Sequence, residues 1–483
     1  MNFSHSYSQL GKEFFQRVLP TPVTAPQLLL FNQELAQQLQ LKPSLIDDSK
    51  LLAQYFSGNL LPEQANAIAL AYAGHQFGGF NPQLGDGRAH LLGELIDQSG
   101  NRFDIQLKGS GQTPYSRQGD GRCPLGPAIR EFIMSEAMFH LNVPTTRCLA
   151  VVATGDPVYR QQTSPGAVVT RVASSHIRVG TFQYFSAQGD RESLAKLIDY
   201  TISRHFEDIA DDDPERVVKF LNKVIDKQID LIIEWLRVGF IHGVMNTDNT
   251  LINGETIDFG PCAMMGTYHP GTVYSSIDSQ GRYAFGNQAQ IANWNMARFA
   301  ETLIPFIDND QEQAISLVQE IIYGFVDQFN QKYQQMLACK LGVKDNHKFD
   351  HQVAKDILQA MQEKSLDYTL TFVQLAQSLT DKDVADKLNS QLGKCYQQWR
   401  EQLNTLAIDA QSAQRVMQQT NPLVIPRNHH VEQVLAECEN GNIDAAIKFI
   451  QVLKSPYEQL TDTHLYQDLP IDNDAGYRTF CGT

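Results

Sequence analysis

Residues 242–260, HGVMNTDNTLINGETIDFG, restrict what this chain can fold into more than any other stretch. It gathers His242, Asp248, Asn249 and Asp258 within a short length of chain. The amide oxygen of Asn249 and the carboxylate of Asp258 are hard ligands, which suit Mg²⁺ or Mn²⁺ when water and the phosphates of a nucleotide complete the coordination. A polar turn with a solvated aspartate is the alternative, and it is the commoner outcome for an isolated pair of such residues.

The same stretch contains a turn signal. Two short β-prone pieces, 250–252 and 256–257, flank an Asn-Gly dipeptide at 253–254, which is typical of a two-residue β-hairpin. A hairpin would bring Asn249, just before its first strand, close to Asp258, just after its second. The pattern therefore predicts that both metal ligands lie at one end of a hairpin.

The order of the residues favours the metal site. Protein kinases hold their metal ions with an asparagine at the end of the catalytic loop and with the aspartate of a D-F-G motif. Here 258–260 reads D-F-G, and 242–249 aligns with the eight-residue catalytic loop, histidine on histidine and asparagine on asparagine. The catalytic aspartate then falls on Val244, which cannot accept a proton, while Asp248 directly precedes the asparagine. The chain is either an inactive kinase or an enzyme of related chemistry whose base has moved.

Composition excludes several classes of protein. The chain has 483 residues, 42% of them hydrophobic, and a formal net charge of −15, which disfavours binding to nucleic acid or to an anionic membrane surface. We find no apolar run long enough to span a membrane and no signal peptide in the first residues. Seven scattered cysteines without a C-x-x-C pair indicate a reducing compartment. We therefore expect a cytoplasmic protein of two or three packed subdomains.

A glycine-rich segment and two strands precede the central stretch. The predicted strands cover 90–96 and 102–108. Gly85, Gly87 and Arg88 lie before the first strand, and Lys108 ends the second. Glycines let backbone N–H groups approach phosphates, and Arg or Lys supplies opposite charge. Tight turns between strands and an edge lysine are the structural alternative.

A polar loop at 109–127 follows these strands. It contains a second Gly-Asp-Gly, with Asp120 and Gly121, and its content of Gly and Pro is too high for a regular element. A long loop beside a nucleotide pocket is typical of a lid or a binding loop.

A helix is predicted to begin at Pro127, since proline favours the first helical position. The helix carries two carboxylates, Glu131 and Glu136. In a kinase-like lobe one of them should pair with Lys108 and hold it towards the phosphates. The apolar periodicity does not decide which of the two does so.

Two further strands are predicted over 148–153 and 167–172, with a turn at 155–157 between them. The second strand delivers Arg171, and Arg178 follows seven residues later. Two such arginines most often form surface ion pairs, but they could also clamp a triphosphate.

The remaining sequence is mainly helical. Helices are expected over 28–41, 62–71 and 191–240, and over most of 294–455. The predicted units are an N-terminal extension that packs on the lobes, a kinase-like nucleotide-binding lobe, a helical lobe with the catalytic loop and D-F-G, and a tail: 1–72, 73–185, 186–455 and 456–483. The expected fold class is α+β, a bilobal protein-kinase-like fold with a β-rich N-lobe and a mostly helical C-lobe.

The amino-acid sequences of these motifs identify a family more specifically than the order in which the motifs occur. The segments YAGHQFGGFNPQLGDGRAHLLGE, DIQLKGSGQTPYSRQGDGR, REFIMSEAM, VPTTRCLA, HGVMNTDNTLINGETIDFGP and NWNMARFAETLIP resemble the selenoprotein O family over nearly the whole chain. The resemblance implies a pseudokinase fold and a protein adenylyltransferase, which moves AMP from ATP to Ser, Thr or Tyr hydroxyls of other proteins. UTP is a further donor to consider, as a source of UMP. The nucleotide would bind in the opposite orientation to that in a kinase, so that its α-phosphate faces the acceptor.

The resemblance also implies roles for single residues. Asp248 would be the proton acceptor, and Asn249 and Asp258 would hold Mg²⁺ or Mn²⁺. Lys108 would contact phosphate with Glu131, rather than Glu136, as its partner. The rest of the ATP site would be formed by Gly85, Gly87, Arg88, Asp120, Gly121, Arg171, Arg178 and Asp258.

Redox control is expected in some members of the family. Eukaryotic members carry selenocysteine third from the C-terminus, and Cys481 occupies that place here. In some relatives this residue pairs with a second cysteine in the segment after D-F-G, but here no cysteine lies between 263 and 338. We do not expect Cys262 to replace it, so a regulatory disulfide is not predicted.

Two other functions compete with AMP transfer. The first is transfer of the γ-phosphoryl group from the same site, with Asp248 as the base of an atypical kinase. The second is a non-catalytic nucleotide-binding scaffold. The missing kinase aspartate counts against the first, and the complete set of Lys108, Asn249 and Asp258 counts against the second.

Overall fold

A computed structural model describes residues 1–345 and 348–480. Its strands are β1 Phe15–Arg17, β2 Gln27–Phe31, β3 Ile68–Leu70, β4 Gly74–Gln76, β5 Gly79–Asn81, β6 Ala89–Ile96, β7 Arg102–Lys108, β8 Cys123–Pro124, β9 Arg147–Tyr159, β10 Thr163–Ala173, β11 Phe240–Ile241 and β12 Ala263–Met264. Its α-helices are α1 Gln33–Gln38, α2 Pro43–Ile46, α3 Ser49–Ser57, α4 Leu125–His140, α5 Val179–Gln188, α6 Arg191–His205, α7 Arg216–Val238, α8 Gln288–Leu303, α9 Gln311–Lys340, α10 His351–Glu363, α11 Tyr368–Gln377, α12 Lys382–Leu392, α13 Lys394–Thr405, α14 Ala410–Thr420, α15 Asn428–Glu439 and α16 Asp444–Leu453.

One antiparallel sheet forms the first lobe. Its eight strands include the path β1-β3-β6-β7-β10-β9-β2, and β8 pairs with β10. Helices from α5 onwards form the second lobe, so the predicted α+β class, with a β-rich lobe and a mostly helical lobe, is confirmed. The strands predicted over 90–96 and 102–108 are confirmed as β6 and β7. The domain boundaries given above stay predictions.

The N-terminal segment differs from its predicted helices. The apolar run Leu28–Phe31 lies in β2, which pairs with β9, and Asn32 then caps the short helix α1 by accepting a hydrogen bond from Leu35 N–H at 3.1 Å. The predicted helix over 62–71 is wrong as well, because β3 lies there between β1 and β6. In both places the pairing of backbone groups with a neighbouring strand outweighed the helix-like spacing of the apolar residues.

The predicted turn at 155–157 is also wrong. Strand β9 continues to Tyr159, and β10 begins at Thr163. Gly155 has φ +78°, and a Cβ there would lie 2.6 Å from the Cβ of Ala25. The glycine therefore permits the N-terminal segment to approach the strand; it does not reverse the chain.

Helix α4 is buried on nearly every side. One face packs on β9 and β10, and α15 and α16 cover another. Thirteen of its sixteen residues are buried, which explains why its sequence shows no clean polar face. Helix α7 has a regular apolar face and packs on α8 and α9. Within the described parts of the chain, no helix is long and apolar enough to cross a membrane.

Candidate active site

A network of buried ion pairs lies between the two lobes. Lys108, at the end of β7, donates to Glu131 Oε2 of α4 at 2.7 Å and also to Asp258 Oδ1. Arg171 of β10 donates to Glu131 Oε1 through Nε at 2.9 Å and to Asp258 Oδ1 at 3.0 Å. Because β10 pairs with β7 and α4 packs on β10, the fold itself brings these charges together.

Glu131, and not Glu136, is the carboxylate that contacts Lys108. Glu136 accepts two hydrogen bonds from Arg147, at 2.9 Å from Nε and 2.5 Å from a terminal nitrogen. The two glutamates lie five residues apart on α4 and serve different arginines. Apolar periodicity could not tell which glutamate pairs with Lys108. The positions of Lys108 on β7 and Arg147 on β9 decide it.

The cations keep both carboxylates of the network ionised. Burial opposes ionisation of Glu131, but Arg171 and Lys108 outweigh it and lower its pKa. Asp258 is also desolvated, and Lys108 and Arg171 hold its pKa well below the ordinary range. An ionised Asp258 is the form that can bind a divalent cation.

Asp248 lies in a different electrostatic environment. It belongs to the 3₁₀ turn Thr247–Asn249 and is 8% exposed. Gln76 Nε2 donates to its Oδ2 at 3.0 Å, whereas Oδ1 has no hydrogen-bond partner among residues 1–345 and 348–480. Burial raises the pKa of Asp248 to about 6, and the Gln76 bond lowers it only in part. A carboxylate of this kind is suited to accept a proton near neutral pH.

Arg178 joins the catalytic loop to the first lobe. One terminal nitrogen donates to the backbone carbonyl of Asp248 at 3.2 Å, and the guanidinium lies 4.1 Å from the centre of the Tyr72 ring. The other terminal nitrogen lies 3.9 Å from Asp86 Oδ1. That buried nitrogen makes no hydrogen bond within the described residues, so it has a donor to offer a ligand.

The glycine-rich segment and the polar loop form one wall. A Cβ on Gly85, whose φ is +74°, would lie 2.2 Å from the ring of Tyr115, and one on Gly87 would lie 2.9 Å from the Tyr115 carbonyl oxygen. Ser116 Oγ also donates to the carbonyl of Gly87. The glycines are therefore needed for close packing of this wall, whatever contact they make with phosphate.

Asp120 and Gly121 lie at the outer end of the same wall. Arg160 forms a two-pronged bond to Asp120, at 2.8 and 2.9 Å, which lowers the carboxyl pKa. A Cβ on Gly121 would lie 2.1 Å from the backbone of Gly111. Asp120 is thus engaged by a cation of the β9–β10 turn, a contact that sequence reasoning missed.

The predicted hairpin at 250–257 does not form. Leu251 pairs with Arg178 and Thr256 pairs with Thr145, so each arm bonds to a different segment. The chain does turn near Asn253-Gly254, but the residues on either side of the turn pair with other segments rather than with each other. His242 accepts from the Val244 N–H at 3.3 Å and contacts the carbonyl of Ile257 through Nε2 at 2.8 Å, which links the two ends of the stretch.

The residues predicted for the site, apart from those buried behind it, line one cavity of about 500 Å³ between the lobes. Its lining includes Gly85, Gly87, Arg88, Lys108, Asp120, Gly121, Val244, Asp248, Asn249 and Asp258. Glu131, Arg171 and Arg178 lie behind this surface and hold it in place. Asn249 donates from Nδ2 to the carbonyl of Val244 at 3.1 Å, which leaves Oδ1 as its metal-ligating atom. Amide and carboxylate oxygens in one polar cavity fit a hard divalent cation.

Sequence reasoning missed Gln76, Tyr72 and Asp86. All three come from the segment 72–88, in which Gly85, Gly87 and Arg88 were noted but these side chains were not. Asp86 accepts from Gln106 Nε2 at 3.0 Å and from Leu70 N–H at 3.2 Å, so it is a buried anchor of the wall. No local pattern distinguishes these residues from ordinary loop residues.

Among the described residues, no two cysteines form a disulfide. Six of them are free, and Cys262 is buried with its thiol donating to the Phe259 carbonyl at 3.2 Å. Burial raises the pKa of Cys262 to about 12, which makes it a poor nucleophile. Cys481 lies outside the described residues.

The solved structures that match this chain resemble it only weakly. The rhoptry antigen kinase domain of Toxoplasma gondii matches 62% of this chain and 93% of its own at 10% identity, with a TM-score of 0.25. A TM-score this low carries no argument about the protein.

Sequence comparisons are far more informative. A family model described as "Protein adenylyltransferase SelO" matches residues 1–454. Proteins named "Protein nucleotidyltransferase YdiU" are 52% identical in Teredinibacter turnerae and 50% identical in Pseudoalteromonas translucida, over 100% of this chain and of each relative. A protein of the same name from Bacillus cereus is 49% identical over 100% of this chain and 98% of its own. The chain therefore belongs to the SelO family of protein adenylyltransferases and is an enzyme of the nucleotidyltransferase class.

Proposed function

We propose that this enzyme transfers AMP from ATP to Ser, Thr or Tyr hydroxyls of other proteins and releases pyrophosphate. UTP would serve as a second donor, for UMP. The observation that carries the proposal is the position of Asp248: a buried carboxylate with a pKa of about 6 lines the same cavity as Lys108 and Asp258. Val244, at the place of the kinase base, is an apolar residue of that cavity.

Asp248 would accept the proton of the acceptor hydroxyl. The hydroxyl oxygen forms a bond to the α-phosphorus while the bond from that phosphorus to the bridging oxygen of pyrophosphate breaks. One Asp248 oxygen is already oriented by Gln76, and the other has no bond within the described residues and is available for the proton. General-base catalysis by a positioned carboxylate contributes about 10²- to 10⁴-fold in rate.

The cationic side chains would stabilise the leaving group. Charge develops on the pyrophosphate oxygens, and Lys108, Arg88 and Arg178 lie in or directly behind the cavity wall. Arg171 and Glu131 hold Lys108 in place. A Mg²⁺ or Mn²⁺ ion held by Asn249 and Asp258 would neutralise phosphate charge and fix the α-phosphate for attack.

The compartment and the partners of the enzyme are inferred from its cysteines and its net charge. Free cysteines among the described residues suit a reducing compartment, and ATP is abundant in the cytoplasm, where we place the enzyme. The acceptors are proteins, while the net charge of −15 disfavours nucleic acid and anionic membranes as partners.

Label transfer distinguishes this function from its alternatives. The enzyme is given divalent metal, host proteins and ATP labelled on the α- or the γ-phosphate. Protein label from the α-position alone is expected, and it should be lost in Asp258→Ala. Label from γ alone would indicate an atypical kinase with Asp248 as its base. Label from neither position, in protein that binds ATP, would indicate a non-catalytic scaffold and overturn the proposal.

A further inference from the structure

We propose a second metal site, remote in sequence from the nucleotide pocket, formed by His429, His430 and Asp468. It would bind a borderline transition cation such as Zn²⁺. Among all residues that the structure describes, this is the one group of three His, Cys, Asp or Glu side chains whose ligand atoms lie close enough to share an ion. Nothing in the AMP-transfer reaction requires it.

The distances suit one small cation. His430 Nε2 lies 2.6 Å from Asp468 Oδ1, and His429 Nε2 lies 3.5 Å from Asp468 Oδ2. All three ligand atoms lie within 4.8 Å of one another. Ligands at about 2.0–2.2 Å from a tetrahedral Zn²⁺ are about 3.3 Å apart. The two imidazoles face different oxygens of the same carboxylate, so the Asp468 side chain would rotate to offer one oxygen to an ion between them.

An ordinary His–Asp hydrogen bond does not explain the group. It accounts for His430, whose ring is also fixed by an edge contact with Tyr466 at 5.2 Å between centroids. It leaves His429 with both ring nitrogens buried and without a hydrogen-bond partner among the described residues. Buried polar atoms are normally satisfied, and a metal would satisfy one of the two.

The donor set indicates the class of metal. Two imidazoles and one carboxylate are the ligands of many Zn²⁺ and other transition-metal sites, whereas Mg²⁺ prefers oxygen alone. Asp468 is exposed, with 61% of its side chain accessible, so an ion has a path from solvent and water can complete the coordination. The site should therefore select Zn²⁺ or Co²⁺ over Mg²⁺.

The ion would fasten the tail of the chain. His429 and His430 lie at the start of α15, and Asp468 lies in the tail. Beyond Asp468 the tail contacts the same helix again, through Asp474 with Asn428 at 3.1 Å.

The tail then reaches the catalytic centre. Tyr477 donates to Glu432 of α15 at 2.7 Å, and Thr479 Oγ1 donates to the carbonyl of Pro261 at 2.6 Å. Pro261 follows the D-F-G motif directly. Metal binding at Asp468 would thus stiffen a segment that ends beside the nucleotide site.

Calorimetry with Zn²⁺ tests the site. The full chain would be stripped of metal and would carry Asp258→Ala, which removes the oxygen site for Mg²⁺ or Mn²⁺. One Zn²⁺ per chain is expected, with affinity at least about 10-fold lower after His429→Gln or Asp468→Asn. His464→Ala is the matched control, because His464 lies in the same tail and its Nδ1 contacts the Thr461 carbonyl at 2.8 Å rather than the proposed metal group.

Two further measurements, the absorption of bound Co²⁺ and hydrogen exchange, test the same site. With Co²⁺ as the probe, absorption of a nitrogen and oxygen environment supports the site, whereas thiolate charge-transfer bands would assign the metal to cysteine and overturn it. Hydrogen exchange over 463–479 should slow when Zn²⁺ is added. No binding at about 100 µM Zn²⁺, or equal affinity in Asp468→Asn and His464→Ala, would also overturn the proposal.

Discussion

At the residue scale, the two aspartates of the site are ionised to different extents by their surroundings. Lys108 and Arg171 contact Asp258, so its pKa is held low, whereas Asp248 is buried with only an amide donor and has a pKa of about 6. One carboxylate is thereby suited to hold a metal and the other to take up a proton. Their burial and neighbours give a physical reason for the different roles that the D-F-G motif and the family resemblance imply for them.

Asp248→Asn tests the base directly. The substitution keeps the size of the side chain but removes its ability to accept a proton. Transfer of AMP should fall by about 10²- to 10⁴-fold, while ATP binding measured by calorimetry should persist. Transfer at the rate of the unaltered enzyme would show that another group takes the proton.

Gln76→Ala tests the pKa of that base. Gln76 donates to Asp248 Oδ2, and this bond favours the ionised form. Without it the pKa of Asp248 should rise above about 6, so the acidic limb of the pH profile of kcat/KM should move to higher pH. Gln83→Ala, in an exposed position of the same segment, should leave the profile in place. An unmoved profile in Gln76→Ala would contradict the role given to Asp248.

At the scale of elements, sequence pattern worked where an element depends on its own residues. Strands β6 and β7, the buried face of α7 and the turn at Asn253-Gly254 were all visible locally. It failed where the partner lies far along the chain. Leu251 and Thr256 pair with Arg178 and Thr145 rather than with each other. Gln76 was missed for the same reason, because its partner Asp248 lies 172 residues away.

Helix α4 offers a matched pair of substitutions. Glu131→Gln should weaken the hold on Lys108 and Arg171, and displacement of Lys108 should slow AMP transfer by about 10²-fold. Glu136→Gln leaves the Arg147 charge underpaired and should cost about 3 kcal/mol of folding free energy, yet its activity per folded molecule should stay near normal. Rates and thermal unfolding of both variants would be compared. Equal loss of activity in the two would mean that α4 acts only through stability.

At the scale of the whole molecule, charge also joins the lobes away from the nucleotide. Asp104 of β7 accepts from Arg204 of α6 at 2.6 Å and contacts His176 Nδ1 at 3.0 Å. All three side chains are nearly or fully buried. Two layers of ion pairs therefore cross from the sheet to the helical lobe, one in the active site and one behind it.

The pairing of Asp104 with Arg204 and His176 makes the free energy of unfolding depend on pH in the acid range. Burial alone would raise the pKa of Asp104, but Arg204 and His176 outweigh it and lower it to about 2. A carboxyl whose pKa is depressed in the folded state contributes fully above its unfolded value and loses that contribution as pH falls. The window therefore runs from about pH 4 to about pH 2, and a shift of this size corresponds to about 2 kcal/mol.

Asp104→Asn should remove that dependence. Between pH 5 and pH 3 the unaltered protein should lose about 1 kcal/mol more of unfolding free energy than the variant, because only its Asp104 becomes protonated. The variant should also be less stable at pH 7, since Arg204 loses the nearer of its two charged partners, Asp104, and keeps only Glu94 at 3.7 Å. Urea unfolding followed by tryptophan fluorescence at each pH gives both values. Asp211→Asn, at a highly exposed position, is the control and should keep the slope of the unaltered protein. If Asp104→Asn kept that slope as well, the acid sensitivity would have to come from other carboxylates, and Asp104 would not be what joins the lobes at low pH.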